Sequence, residues 1–177
     1  MLAAITQVLN QDSDTQVDVC MTSEMARRIE LWTAMYEDNA PWVDRKKVKS
    51  AQLPAAIASE VARLVTLEMK SEITGGSSAT YLNDQYQKKV LTSIRRYMEY
   101  GCAKGGLILK PYVTKTGLAI QYVQADCFFP LAFDDSGQIQ QCVFTEQFRK
   151  GQKIYTRLEV HTLQGEQIRI TNRAFVA

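Results

Sequence analysis

Residues 99–113 read EYGCAKGGLILKPYV, and the fold class turns on this stretch. Before it, apolar residues recur at helical spacing; after Gly106 they alternate with a period of two. Gly101, Gly105 and Gly106 mark the change, which predicts a helix stop feeding a strand. The stretch also raises two chemical readings. Glycines beside Lys104 suggest a phosphate cradle, and Cys102 in a Gly-rich turn suggests a nucleophile. A P-loop needs its glycines before the lysine, a following Ser or Thr, and a strand leading into a helix. Here Lys104 precedes Gly105 and Gly106, and the order is helix then strand. The negative end of the helix macrodipole would face the turn and repel phosphate. Thiolates are favoured at helix N-termini or beside cations, and the single histidine, His161, lies 59 positions away. Cys102 is therefore expected to be a small buried packing residue.

Working toward the N-terminus, Tyr86, Val90, Ile94 and Tyr97 predict the apolar face of a helix from about Ala79 to Gly101, with Lys88, Lys89, Arg95 and Arg96 solvated. TGGSS (74–78) separates it from LPAAIASEVARLVTLEMK (53–70), a second helical pattern. That helix carries Pro54 in its first turn, where a missing N–H costs little. Its expected core stripe is Ile57, Val61, Leu64 and Val65, with Ala55, Ala56, Ala58, Ser59 and Ala62 permitting close packing. A helix starting at Thr22 or Ser23 presents Met25, Ile29, Trp32 and Tyr36 on one face and ends before Pro41. Trp32 and Trp42 are expected as core or interface anchors. Residues 10–20, NQDSDTQVDVC, read as an extended arm.

Toward the C-terminus, LILKPYV and LAIQYV flank TKTG as a hairpin, and IQQCVFTEQF and KIYTRLEVHTL flank RKGQ as another. LQGEQ leads into a last strand, IRITNRAFV. In KIYTRLEVH, Ile154, Leu158 and Val160 share one face while Tyr155, Arg157, Glu159 and His161 share the other. The pattern is α+β: N-terminal helices, then an antiparallel β-sheet of hairpins. The expected organisation is an N-terminal arm over 1–21 and one α+β domain over 22–177, with helices to about 105 and sheet from about 106. The chain stops within or just past a strand, which suggests a fragment truncated at its C-terminus.

Composition narrows the function classes. The 177 residues carry 21 basic and 19 acidic side chains, a net charge of +2, without the basic excess of a dedicated nucleic-acid binder. Four cysteines stand at least fifteen residues apart with no C-x-x-C pair, so neither a zinc site nor a disulfide framework is expected. MLAAITQVLN lacks the basic start and apolar run of a signal peptide, and no run of about 18 apolar residues exists. A protein made in a reducing cytoplasm, without a membrane span, metal or cofactor, is expected. Glu159 and His161, two apart on one strand face beside Arg157, form a candidate acid/base pair or a solvated ion pair. Asp134 and Asp135 in DDSG fit a hairpin turn better than a cation site. The one local basic cluster is DRKKVK, with Arg45, Lys46, Lys47 and Lys49 as candidate contacts to DNA or a protein partner. No catalytic constellation emerges, and a non-enzymatic assembly protein fits best.

Six phrases occur in order: ELWTAMYEDNAPW, KSAQLPAAIASEVARLVTLEMKSEITG, EYGCAKGGLILKPYV, VQADCFFPLAFDDSGQI, YTRLEVH and ITNRAFV. Together they make the sequence, from about Val17 to its end, closely resemble the portal proteins of tailed bacteriophages and of prophages of Gram-positive bacteria. The resemblance implies the N-terminal part of a much longer portal subunit, contributing most of the wing. It implies a closed self-assembled ring, usually dodecameric, at one capsid vertex of the virion, built in the host bacterial cytoplasm. The implied partners are further copies of the chain, capsid and scaffold proteins, terminase, head–tail adaptor proteins and double-stranded DNA passing through the channel. No catalytic activity, cofactor or membrane is implied. The alternative reading is a DNA-binding module acting through the basic segment 45–49.

Overall fold

The computed structural model describes residues 2–11, 17–44, 46–47, 50–115 and 117–176. The α+β class holds: helices dominate the first part of the chain and antiparallel strands the last. The spatial division differs from the chain order. One compact unit comprises Met1–Arg28 with Asp126–Ala177, and Ile29–Ala125 forms a second unit inserted between those two pieces. The boundary between helical and sheet halves expected near residue 105 falls inside the second unit.

The first unit is built on a four-stranded antiparallel meander, β3 (Phe128–Phe133), β4 (Ile139–Lys150), β5 (Lys153–Gln164) and β6 (Gln167–Val176), in that spatial order. Strands β1 and β2 belong to the other unit. Register sets Phe129 beside Val143 and Val143 beside Val160, so alternate residues of three strands make one apolar face. The expected alternation in β5 is present: Leu158 and Val160 are buried together with Thr156, while Ile154, on the same face beside the turn, is exposed. What covers that face is α1, Leu2–Asn10, in the segment expected as an arm. Ile5 and Leu9 lie one helical turn apart and enter the same cluster as Phe129, Leu131, Val143, Leu158 and Val160, with Val8, Val17, Val19, Met21 and Phe175 packed against it. Residues 1–21 are thus a layer of this unit where they are described. A four-stranded sheet with one apolar face needs such a cover.

Polar contacts fasten the layer. Arg173 on β6 donates to the carbonyls of Val8 at 2.8 Å and Leu9 at 3.1 Å. These belong to the last turn of α1, where carbonyls lack helical partners and a cation complements the dipole. The Asn10 amide donates to Val17 O at 2.9 Å, and Val17 N–H donates back to Asn10 Oδ1 at 2.7 Å. Cys20 N–H then donates to Pro130 O and its thiol to Leu131 O, so this segment runs beside β3. Proline in β3 is compatible with such an edge position, since it has no N–H to offer a ladder.

The second unit contains most of α2 (Ser23–Tyr36), α3 (Leu53–Leu67), and a continuous helix from Ala79 to Lys104. That long helix comprises α4 (Ala79–Tyr86), a π turn (Gln87–Leu91) and α5 (Thr92–Lys104). Thr22 caps α2 through a 3.1 Å bond from Met25 N–H, as the sequence predicts. The hairpin of β1 (Leu107–Thr114) and β2 (Gly117–Gln124) follows. The π turn anchors it: Tyr122 OH donates to Lys89 O at 2.8 Å, and the Lys89 ammonium donates to Leu118 O. Lys89 is therefore engaged rather than freely solvated. The Tyr122 ring stacks on Tyr97 with centroids 3.8 Å apart.

The opening glycines have separate roles. The helix passes through Gly101 and ends at Lys104, with Gly105 in the left-handed region at φ 84° and its N–H bonded to Gly101 O. Gly101 serves packing, because a Cβ there would sit 3.2 Å from Leu107 Cβ. At Gly105 a Cβ would meet the Trp32 ring at 3.1 Å. Gly105→Ala combines a left-handed backbone penalty with this contact, so we expect a loss of about 1–2 kcal/mol in urea unfolding. Gly137→Ala, also left-handed but with nothing within 4 Å, isolates the backbone term and should cost less.

Candidate functional site

The feature that sets this molecule apart is α3. Its small-residue face is the buried one: Ala62 is 0 % exposed and Ala58 is buried with it, as α3 packs against α5. The expected core stripe points outward. Ile57 is 60 % and Leu64 58 % exposed, and Leu53, Val61 and Val65 are exposed too. Spacings of four, four and three residues place Leu53, Ile57, Val61 and Leu64 on one side of the helix. The reason is geometric. Alanines let two helix backbones approach closely, and a helix that buries its alanines must turn its larger side chains away. Full burial of each large aliphatic side chain is worth about 1.5–3 kcal/mol, so a contiguous row left in water marks an interaction surface. Glu60 and Arg63 flank the row as an ion pair at 2.6 Å; the guanidinium holds the Glu60 carboxyl below its ordinary range.

At the N-terminal end of the row lies a cavity of about 180 Å³, lined by Met35, Trp42, Val43, Leu53 and Pro54 among others. Leu53 belongs to both features. Asp38 and Gln52, also in its lining, take left-handed conformations at φ 57° and 50°, which is uncommon away from glycine. Trp42 is 65 % exposed, which places it outside the core.

The basic cluster is placed in part. Lys46 and Lys47 are exposed, and Lys47 Nζ pairs with Asp44 at 3.1 Å. Arg45 and Lys49 lie outside the described residues. Cys102 is exposed, which corrects the expectation of a buried thiol: the inward positions of this helix are Val90, Ile94 and Lys104, and Cys102 falls off that face. Lys104 is instead the buried neighbour, at 6 % exposure.

On β5, His161 Nε2 and Glu159 Oε1 are 2.7 Å apart, with side chains 17 % and 16 % exposed. The His161 ring stands edge-on to Phe144 at 4.9 Å, and Arg157 pairs with Glu146 across the strands. Among the described residues, no group of three or more His, Cys, Asp or Glu is placed to hold a metal. Asp134 closes the β3–β4 turn as expected. Bonds from the Ser136 hydroxyl and the Gln138 N–H hold its carboxyl below the ordinary range, with Gln140 adding a 2.8 Å bond. A third polar group is tyrosine-rich. Tyr36 OH donates to Glu99 at 2.8 Å, and burial with that carboxylate pushes Tyr36 up to about 12. Tyr100 meets both Tyr36 and Tyr97 edge-on, which makes this cluster a packing element of the second unit.

Two features escape sequence reasoning. One is the outward stripe of α3, which a helix with both a small and a large apolar face could have signalled. The other is a cationic tip on the β4–β5 hairpin, Arg149, Lys150 and Lys153, all exposed; three cations within five residues were the signal. No helix among the described residues is long and apolar enough to cross a membrane. The chain matches no protein-family model, no curated protein and no solved structure.

Proposed function

We propose that this chain is a structural, non-catalytic wing region of a portal-type ring subunit, acting at a phage capsid vertex. Its work there is assembly: self-association into a ring, docking of terminase, capsid and head–tail adaptor proteins, and passage of double-stranded DNA. The observation that carries the reading is the outward apolar row of α3, in a chain whose six phrases resemble portal proteins. A ring needs a heterologous contact, in which one patch of each subunit meets a different patch of the next. The row and the adjoining cavity supply one such patch of knobs beside a hole. DNA packaging energy is, on this reading, supplied by the terminase partner.

The test is the complete product of the reading frame that carries these residues, purified and viewed by negative-stain electron microscopy alongside native mass spectrometry. Closed rings of one copy number are expected. A monodisperse monomer under assembly conditions overturns the reading.

A further inference from the structure

The β4–β5 hairpin carries a charge arrangement that the fold itself does not use. Its turn is Gly151–Gln152, with Gly151 at φ 63°, the first central position where type II′ hairpins place glycine. The last two rungs are Arg149 beside Ile154 and Lys150 beside Lys153. Like charges directly opposite each other in an antiparallel pair destabilise it. No acidic residue stands between Gln147 and Thr156. Among the described residues, no side-chain hydrogen bond or ion pair engages these three cations. Four other basic side chains of the same unit are engaged: Arg27 and Arg28 pair with Glu24, Arg157 pairs with Glu146, and Arg173 caps α1.

The geometry points outward. Pairing with β3 ends at Phe128–Phe144, so β4 runs past β3 from Thr145 to Lys150. Residues 146–154 are all exposed. Side chains alternate across a ribbon. One face therefore shows Lys150 and Lys153 next to Phe148 and Tyr155, whose rings stack at 5.5 Å; the other face shows Arg149. A two-stranded β-ribbon fits the roughly 12 Å major groove of B-DNA, which is walled by phosphates on both sides. A ribbon with cations on both faces meets both walls. Duplex RNA has a major groove too narrow for this entry. At the turn itself stand Gly151 and Gln152, without the apolar wedge that membrane insertion requires.

We propose that the β4–β5 tip is a duplex-DNA contact, with Arg149, Lys150 and Lys153 neutralising backbone phosphates without reading sequence. The contact belongs to the single chain and does not depend on ring assembly. Fluorescence anisotropy of the full chain with a labelled 25-bp duplex, at salt from about 20 to 150 mM, tests it. Binding should weaken along a log–log slope of about −2.7, the value for three phosphates. Lys150→Gln should flatten the slope by about 0.9, and R149Q/K150Q/K153Q should lose binding. Lys153→Glu should raise the melting temperature by replacing a like-charge pair while weakening binding, a divergence that a purely structural role does not produce. Three outcomes overturn the proposal: no binding at the lowest salt, unchanged affinity in the triple variant, or binding to phosphatidylserine vesicles with none to the duplex.

Discussion

Ile5→Ala should lower the stability of the first unit by about 2–5 kcal/mol, the range for emptying a buried branched aliphatic site. Ile5 is 0 % exposed and lies in one cluster with Val143 and Leu158. Truncating it removes apolar contacts with the sheet and leaves a cavity that the surrounding strands fill only in part. Urea unfolding followed by circular dichroism measures the loss. Gln7→Ala, at an exposed position of the same helix, should stay within about 0.5 kcal/mol of the parent. The pair of variants decides the standing of α1. If residues 1–10 were a detached arm, the two substitutions would behave alike.

Ile57→Glu with Leu64→Glu should abolish ring formation by the complete product while leaving its melting temperature unchanged. Both side chains are already in water, so the folded chain loses little when they become charged. An interface that had to bury them would instead take in two unpaired carboxylates, at a cost of several kcal/mol. Ala62→Leu is the converse. That position is 0 % exposed, and added methylenes would force α3 off α5, costing about 1–3 kcal/mol of stability. Electron microscopy and thermal melts on the same preparations separate the two effects. Rings that persist in the double glutamate variant remove α3 from the interface.

Much of the local structure was legible. Thr22 caps α2 because a hydroxyl at that position can reach the N–H of Met25. The β4–β5 turn falls at Gly151 because only a glycine takes φ 63° there without strain. The buried row of β5 follows from a period of two, and Asp134 closes its turn through bonds to its own next residues. Each of these is an interaction between near neighbours in the chain, which sequence displays directly. The candidate surface was less legible: apolar periodicity located the stripe of α3 but assigned it to the core.

Amino-acid order alone settles the α+β class, the change of period at Gly105–Gly106, the hairpins and the capping residues, because these depend on backbone geometry over a few positions. Only the tertiary structure decides that α1 roofs the sheet, that Arg173 reaches the end of that helix across 165 positions, that residues 29–125 are an insertion, and that α3 hides Ala58 and Ala62 and shows its leucines. The physical reason is common to all four. Periodicity tells that a helix has an apolar face, but which face is buried depends on the separation between backbones, and that separation is set by a partner distant in the chain.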